Sequence, residues 1–271
     1  MFNTIDYVVN EQIATITLNR PEALNSFNEQ MMEELIQVYR KADQSDDVRV
    51  IILTAKGKVF CAGMDLSTGD DVFESDESIE EFRDTGGRVS LEVYHVKKPV
   101  IAAVNGAAVG IGATMLLPAD IRVFSETAKV GFVFGRRGIG PEATSGYFLP
   151  RLVGMSKALE WVYTGRMIYS EELITSGLAN HVAEDAYEKA LELAKEIIEN
   201  TSAVSNSFSR QLFYKMWEAE HPMDSHLVES KFLHWASREK DVKEGIASFK
   251  EKRNPRFPLT TSDLPDFFKG G

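Results

Sequence analysis

An α/β fold with a helical C-terminal appendage is what this sequence predicts, and three observations carry that prediction. Short apolar, β-forming runs recur through the first part of the chain. Several of them lead into a glycine turn and then into apolar residues at helical spacing. After Asp185 the strand-like runs stop and only helical patterns remain.

The elements follow in order. Residues 7–9 and 13–18 are β-formers around the turn residues Asn10 and Glu11, the pattern of a hairpin, which Asn19-Arg20-Pro21 ends. From 28 to 42, Met31, Met32, Leu35, Ile36 and Tyr39 recur at helical spacing with Asn28 as N-cap, and 48–55 reads as a buried strand. Residues 67–87 are acidic and polar, with Gly69, Gly86 and Gly87, and read as a mobile loop containing a short helix around 79–83. Strands at 100–104 and 121–125 bracket a glycine-initiated helix at 111–117. Helices are expected at 141–152, 156–164, 170–176, 187–199 and 203–220, with more through Ser248, then a basic proline-containing stretch at 250–258. In the appendage after about Asn200, Phe208, Phe213, Trp217, Phe232 and Trp235 must bury against the body or a second subunit.

The bulk numbers narrow the function classes. At 271 residues and 44% apolar, the chain can bury a sizeable core. A net charge of −11 opposes non-specific binding to nucleic acid or to an anionic membrane. An anionic small ligand remains compatible, since it needs only local cations or helix N-termini. Cys61 is the only cysteine, which excludes an intramolecular disulfide and a thiolate cluster and suits a reducing, cytoplasmic setting. The N-terminus has no basic segment followed by an apolar block, so no secretory signal is expected. The apolar stretch 99–118 is broken by Asn105 and glycines and reads as buried core. The five histidines show no metal-ligand spacing, so no metal site is expected, and Cys61 reads as a small buried filler.

Two glycine-bearing turns stand out: GKVFCAGMDL at 57–66, after the strand ending at Ala55, and NGAAVGIGATM at 105–115, after the strand ending at Val104. Glycine there lets free N–H groups point at an anion, and two such groups on one oxygen make an oxyanion hole. Glycines required only for tight packing are the other reading.

Four motifs now fall in one order: ITLNRPEALNSF, VFCAGMDL, KPVIAAVNGAAVGIG and EGIASFKEKRNPRF. With them, almost the whole chain resembles the crotonase superfamily of acyl-CoA enzymes. The resemblance implies a spiral of ββα units over residues 1–200, with 201–271 as a helical oligomerisation segment. It implies a homotrimer or a dimer of trimers, an acyl-CoA thioester as substrate, and no cofactor beyond the coenzyme A that the substrate carries. Carried over by position, the oxyanion amides fall on Met64 and Ile111. Contacts to the acyl-CoA fall on Ala23, Leu24, Ala62, Gly63, Asp65, Leu66, Gly110 and Phe134, with Phe249 and Lys252 reaching the nucleotide end across a subunit boundary. Arg20, Lys56, Lys58, Lys252 and Arg253 are cations near these motifs that phosphates would use.

Hydratases of the superfamily use two glutamates, and their matching positions here are Thr114 and Phe134, neither of which can transfer a proton. Its 3-enoyl to 2-enoyl isomerases carry a single glutamate at the position of Glu142, and the peroxisomal ones share GI-x-x-T (110–114) and PE-x-x-S (141–145). Glu142 would sit in the first turn of the helix at 141–152, where a structural role at the helix start is the alternative. Phe132, Phe134 and Tyr147 are candidates for an apolar wall that raises its pKa. The resemblance therefore implies an enoyl-CoA isomerase. A hydratase with Glu142 activating water, an aromatic dehalogenase and a non-catalytic acyl-CoA-binding protein are the alternatives.

Overall fold

The computed structural model describes residues 2–69 and 72–268. β1 (Ile5–Asn10) and β2 (Ile13–Leu18) pair antiparallel with Asn10 opposite Ile13. The turn is therefore Glu11 and Gln12, with φ of 47° and 65°, the twist a two-residue hairpin needs. Turn chemistry favours Asn10, but pairing continues through it, so the expected turn is displaced by one residue.

The remaining strands are β3 (Val50–Ala55), β4 (Val59–Cys61), β5 (Val100–Val104), β6 (Ala107–Val109), β7 (Ile121–Ser125), β8 (Lys129–Gly131), β9 (Met167–Tyr169) and β10 (His181–Ala183). A larger sheet runs β1-β2-β3-β5-β7-β10, parallel beyond the hairpin. A smaller one runs β4-β6-β8-β9, with β9 antiparallel. In each pair β3/β4, β5/β6 and β7/β8 the first strand joins the larger sheet and the second the smaller, which is the repeating ββα unit of a crotonase-like spiral. The small sheet has no counterpart in the sequence reading. Its three-residue strands are too short to show a period of two.

The helices are α1 (Glu29–Gln44), α2 (Thr85–His95), α3 (Ile111–Thr114), α4 (Ser145–Val153), α5 (Met155–Thr164), α6 (Ser170–Thr175), α7 (Ala186–Asn200), α8 (Ala203–Met216), α9 (Pro222–Ala236) and α10 (Lys240–Glu251). Asn28 caps α1 as expected, accepting the Met31 amide at 2.9 Å. Two expectations change around the acidic loop. In place of a short helix at 79–83 there are turn bonds from the Glu81 and Phe82 amides to Ser78, and Gly86 and Gly87, read as loop, lie inside α2. Residues 70 and 71 of that loop are outside the described residues.

Alternation along the parallel strands splits the core in two. Ile51 and Leu53 face the main core, while Val50, Ile52, Ile101, Ala103 and Val123 face α7, whose Ala186, Ala190 and Ala194 form a small-residue stripe at helical spacing. α8 is tied to the body by Arg210, which pairs with Asp120 at 2.9 Å and donates to the carbonyls of Val93, Tyr94 and Val96 at the end of α2. Among the described residues no helix is long and apolar enough to cross a membrane.

Candidate active site

β4 and β6 are hydrogen-bonded parallel neighbours, with Val59 opposite Ala107 and Cys61 opposite Ala108. Parallel strands end at the same sheet edge, so the turn after each emerges beside the other. The sequence reading began both turns at the larger-sheet strands; β4 and β6 intervene and bring the turns together. A Cβ on Gly110 would lie 3.9 Å from Gly63 Cα, and one on Gly63 would lie 3.3 Å from the Val109 carbonyl oxygen. Gly63 (φ 112°) and Gly110 (φ 55°) both occupy the region that favours glycine.

Each glycine is followed by a free amide. The bonds from Phe27 N to Gly63 O and from Asp65 N to Phe27 O, both 2.8 Å, fix the backbone on either side of Met64. Successive amides of an extended backbone point to opposite sides, so Met64 N–H faces away from Phe27. Ile111 is the first residue of α3, where an amide has no intrahelical acceptor. Among the described residues neither amide donates to the protein. The packing reading holds for two other glycines of these turns: Gly106 and Gly112 abut the Lys58 and Cys61 carbonyls, where a Cβ has no room.

The two amides border a cavity of about 110 Å³ walled by Ala62, Leu66, Phe73, Val109, Val133, Phe134 and Ile139, with Arg137 and Glu142 as its charged residues. Glu142 is not in a helix. α4 begins at Ser145, because Ala143 (φ 52°) and Thr144 (φ 59°) take left-handed conformations that turn the chain after Glu142. The helix-start role therefore does not apply. Its Oε1 accepts a 2.8 Å hydrogen bond from Thr114 Oγ1, and a Cβ at Gly86 would lie 2.7 Å from Oε2, so α2 presses on the other oxygen. Burial pushes the Glu142 carboxyl up to about 7; the Asp84 charge adds to the rise and the Thr114 bond opposes it. Burial likewise pushes the Cys61 thiol up to about 12, leaving it a neutral filler.

The structure thus brings together Ala62, Gly63, Met64, Leu66, Gly110, Ile111, Phe134 and Glu142. Leu24 adjoins them, its carbonyl accepting the Ala62 amide at 3.1 Å and its side chain exposed, with Ala23 in the preceding turn. Asp65 faces Arg20 at 2.9 Å and caps the turn at Leu66–Thr68; its hydrogen bonds from Ser67, with Arg20 beside it, hold its carboxyl at about 2. Phe249 and Lys252 lie on and just after α10 and do not wall the cavity. Lys56 pairs with Asp6 and Arg253 with Glu244 and Glu251, so these cations and Arg20 are committed within the chain. Among the described residues Lys58 and Lys252 make no ion pair. Of the three candidate wall aromatics only Phe134 qualifies: Phe132 stacks on Trp161 in the core and Tyr147 packs on Phe148 and Trp217.

Sequence reasoning missed Asp84, Gly86 and Arg137, and saw Thr114 only as an absent acid rather than as the partner of Glu142. A glycine pair after a capping aspartate was the one available signal.

Residues 9–259 match the family described as enoyl-CoA hydratase/isomerase. An enoyl-CoA hydratase of Alternaria alternata, AKT3-2, is 39% identical over 251 residues, spanning 92% of this chain and 83% of that protein. The 1,2-epoxyphenylacetyl-CoA isomerase of Escherichia coli is 31% identical over 258 residues, spanning 92% of this chain and 96% of that protein. The crystal structure of an enoyl-CoA hydratase from Bacillus anthracis superposes with a TM-score of 0.87 at 30% identity, covering 94% and 99% of the two chains.

Proposed function

The chain belongs to the enoyl-CoA hydratase/isomerase family, and on that premise we propose that it converts 3-enoyl-CoA to 2-enoyl-CoA with Glu142 as the single proton carrier. One observation carries this reading: Glu142 is the only carboxylate bordering the cavity among the described residues, and the two hydratase acid positions hold Thr114 and Phe134. The Glu142 carboxylate removes a proton from the α carbon, and the electron pair moves into the thioester carbonyl. The Met64 and Ile111 amides receive the resulting dienolate oxygen, a contribution of about 3 kcal/mol per donor in comparable sites. Glu142 then returns the proton to the γ carbon, leaving the double bond at the 2 position. A carboxyl at about 7 suits both halves of the cycle, since it is partly ionised at neutral pH yet basic enough to hold the proton. No cofactor takes part beyond the coenzyme A of the substrate.

Hydration is the second reading, favoured by the names of several relatives. In it Glu142 would activate a water at the same site. Purified protein supplied separately with 3-enoyl-CoA and 2-enoyl-CoA distinguishes the two. Isomer formation that Glu142→Gln reduces about 10²- to 10⁴-fold, with acyl-CoA affinity kept, supports the isomerase. Isomerisation that survives the substitution removes Glu142 from the reaction, hydration alone favours the second reading, and binding without turnover makes the protein a carrier.

The helical segment 201–271 is proposed to assemble the chain into a trimer or a pair of trimers in the cytoplasm. Exposed Phe213, Met223, Leu227 and Leu233 on α8 and α9 support this, as does the position of Phe249 and Lys252 away from the cavity of their own chain. Light scattering of the purified protein tests it, and a monomer at micromolar concentration would contradict it.

A further inference from the structure

We infer that Asp84, at the N-terminus of α2, is a positioning residue for Glu142: it pins the loop that carries the acid and sets a like charge against the same helix turn. The inference rests on reading Glu142 as the proton carrier. Asp84 Oδ1 accepts the Gly87 amide at 2.6 Å, closing the α2 cap, and the Ala143 amide at 3.1 Å across 59 residues of sequence. Ala143 is the residue directly after Glu142. It and Thr144 hold left-handed conformations that side-chain-bearing residues adopt only when their surroundings enforce them. The Asp84 bond enforces them from one side. Ser145, donating its amide and hydroxyl to the Glu142 carbonyl at 2.9 and 2.6 Å, does so from the other.

Two adjacent glycines explain why α2 can serve this purpose. A Cβ on Gly86 would meet Glu142 Oε2, and one on Gly87 would meet Asp84 Oδ2. Gly86 makes room for the Glu142 carboxyl together with the Ile111 side chain, and Gly87 for the Asp84 carboxyl, so both carboxyls lie against the first turn of one helix. At its other end Arg210 binds the terminal carbonyls of the same helix, which prevents α2 from relaxing away. The polar and titratable groups that bear on Glu142 are Thr114 from α3, Asp84 at the cap of α2 and the neutral Cys61 thiol, and Arg137 is the other charged residue lining its cavity. Of these Asp84 is the like charge, and a like charge nearby disfavours the ionised form.

Asp84→Asn keeps an oxygen for both amides and removes the charge; Asp84→Ala removes both. The Glu142 carboxyl is followed by ¹³C NMR in the full-length protein, its signal assigned by loss in Glu142→Gln. In Asp84→Asn the titration midpoint is expected to fall. The acid limb of the kcat profile should move the same way with KM held within about twofold. In Asp84→Ala kcat should fall about 10- to 100-fold, as displacement of a reacting group does, with a smaller change in KM. An unchanged midpoint in Asp84→Asn, or wild-type kcat in Asp84→Ala, overturns the inference. The NMR midpoint needs no turnover, so a protein inactive on both enoyl-CoA substrates whose midpoint still falls would sink the isomerase reading and leave the electrostatic link intact.

Discussion

Replacing Glu142 by glutamine should stabilise the protein at alkaline pH while removing its activity. The carboxyl rises from 4.5 to about 7 on folding, chiefly through burial. A carboxyl whose folded pKa lies above its unfolded value binds more protons folded than unfolded between the two. Stability therefore falls as pH rises through that window. Below pH 4.5 nothing is lost; above pH 7 the loss is complete, about 3 kcal/mol at about 1.4 kcal/mol per unit. Glutamine cannot ionise, and its side-chain oxygen still accepts the 2.8 Å bond from Thr114, so it escapes the loss without leaving that hydroxyl unpaired. Urea unfolding of both proteins at one protein concentration, at pH 5 and pH 8.5, measures the effect. The glutamine variant should gain up to about 3 kcal/mol on the wild type between those two values. A difference that is flat with pH, or that favours the wild type at pH 8.5, would mean that Glu142 is not buried as a strained charge.

Thr114→Val removes the hydrogen bond that holds Glu142 down, so its pKa should climb further above about 7; the acid limb of the rate profile should move up, with activity recovering above pH 8. Gly86→Ala would place a Cβ 2.3 Å from Ile111 Cδ1, 2.7 Å from Glu142 Oε2 and 2.9 Å from Ala143 Cβ, so kcat should fall about 10- to 100-fold and the melting temperature should fall as well, overpacking of about 1 to 3 kcal/mol exceeding the helix-propensity gain of up to about 1 kcal/mol. Asp65→Asn should lose about 1 kcal/mol at pH 7 by urea unfolding. The carboxyl is held at about 2 against 3.8, so that contribution is present above 3.8 and disappears as pH falls through 2, where variant and wild type should converge.

What the sequence determined by itself was whatever a local pattern can encode. The 3.6-residue period with its Asn28 cap fixed α1, the β-branched runs at Val100–Val104 and Ile121–Ser125 marked two central strands, and four ordered motifs pointed to the acyl-CoA family and made Met64 and Ile111 the expected oxyanion amides, with Glu142 the expected acid from the separate PE-x-x-S pattern. What only the tertiary structure decided were relations between distant residues. The two glycine turns converge because β4 and β6, too short to announce themselves, are parallel neighbours. Gly86 and Gly87, which read as loop residues, lie within a helix, and a side chain at either would strike its neighbours: Ile111 and Glu142 at the first, Asp84 at the second. Glu142 stands outside α4, its carboxyl bonded to Thr114 28 residues earlier and its loop pinned by Asp84 across 59. Periodicity and capping act over one or two turns of chain, whereas the pKa and aim of an acid depend on whatever folding packs around it, and no local window of sequence contains that information.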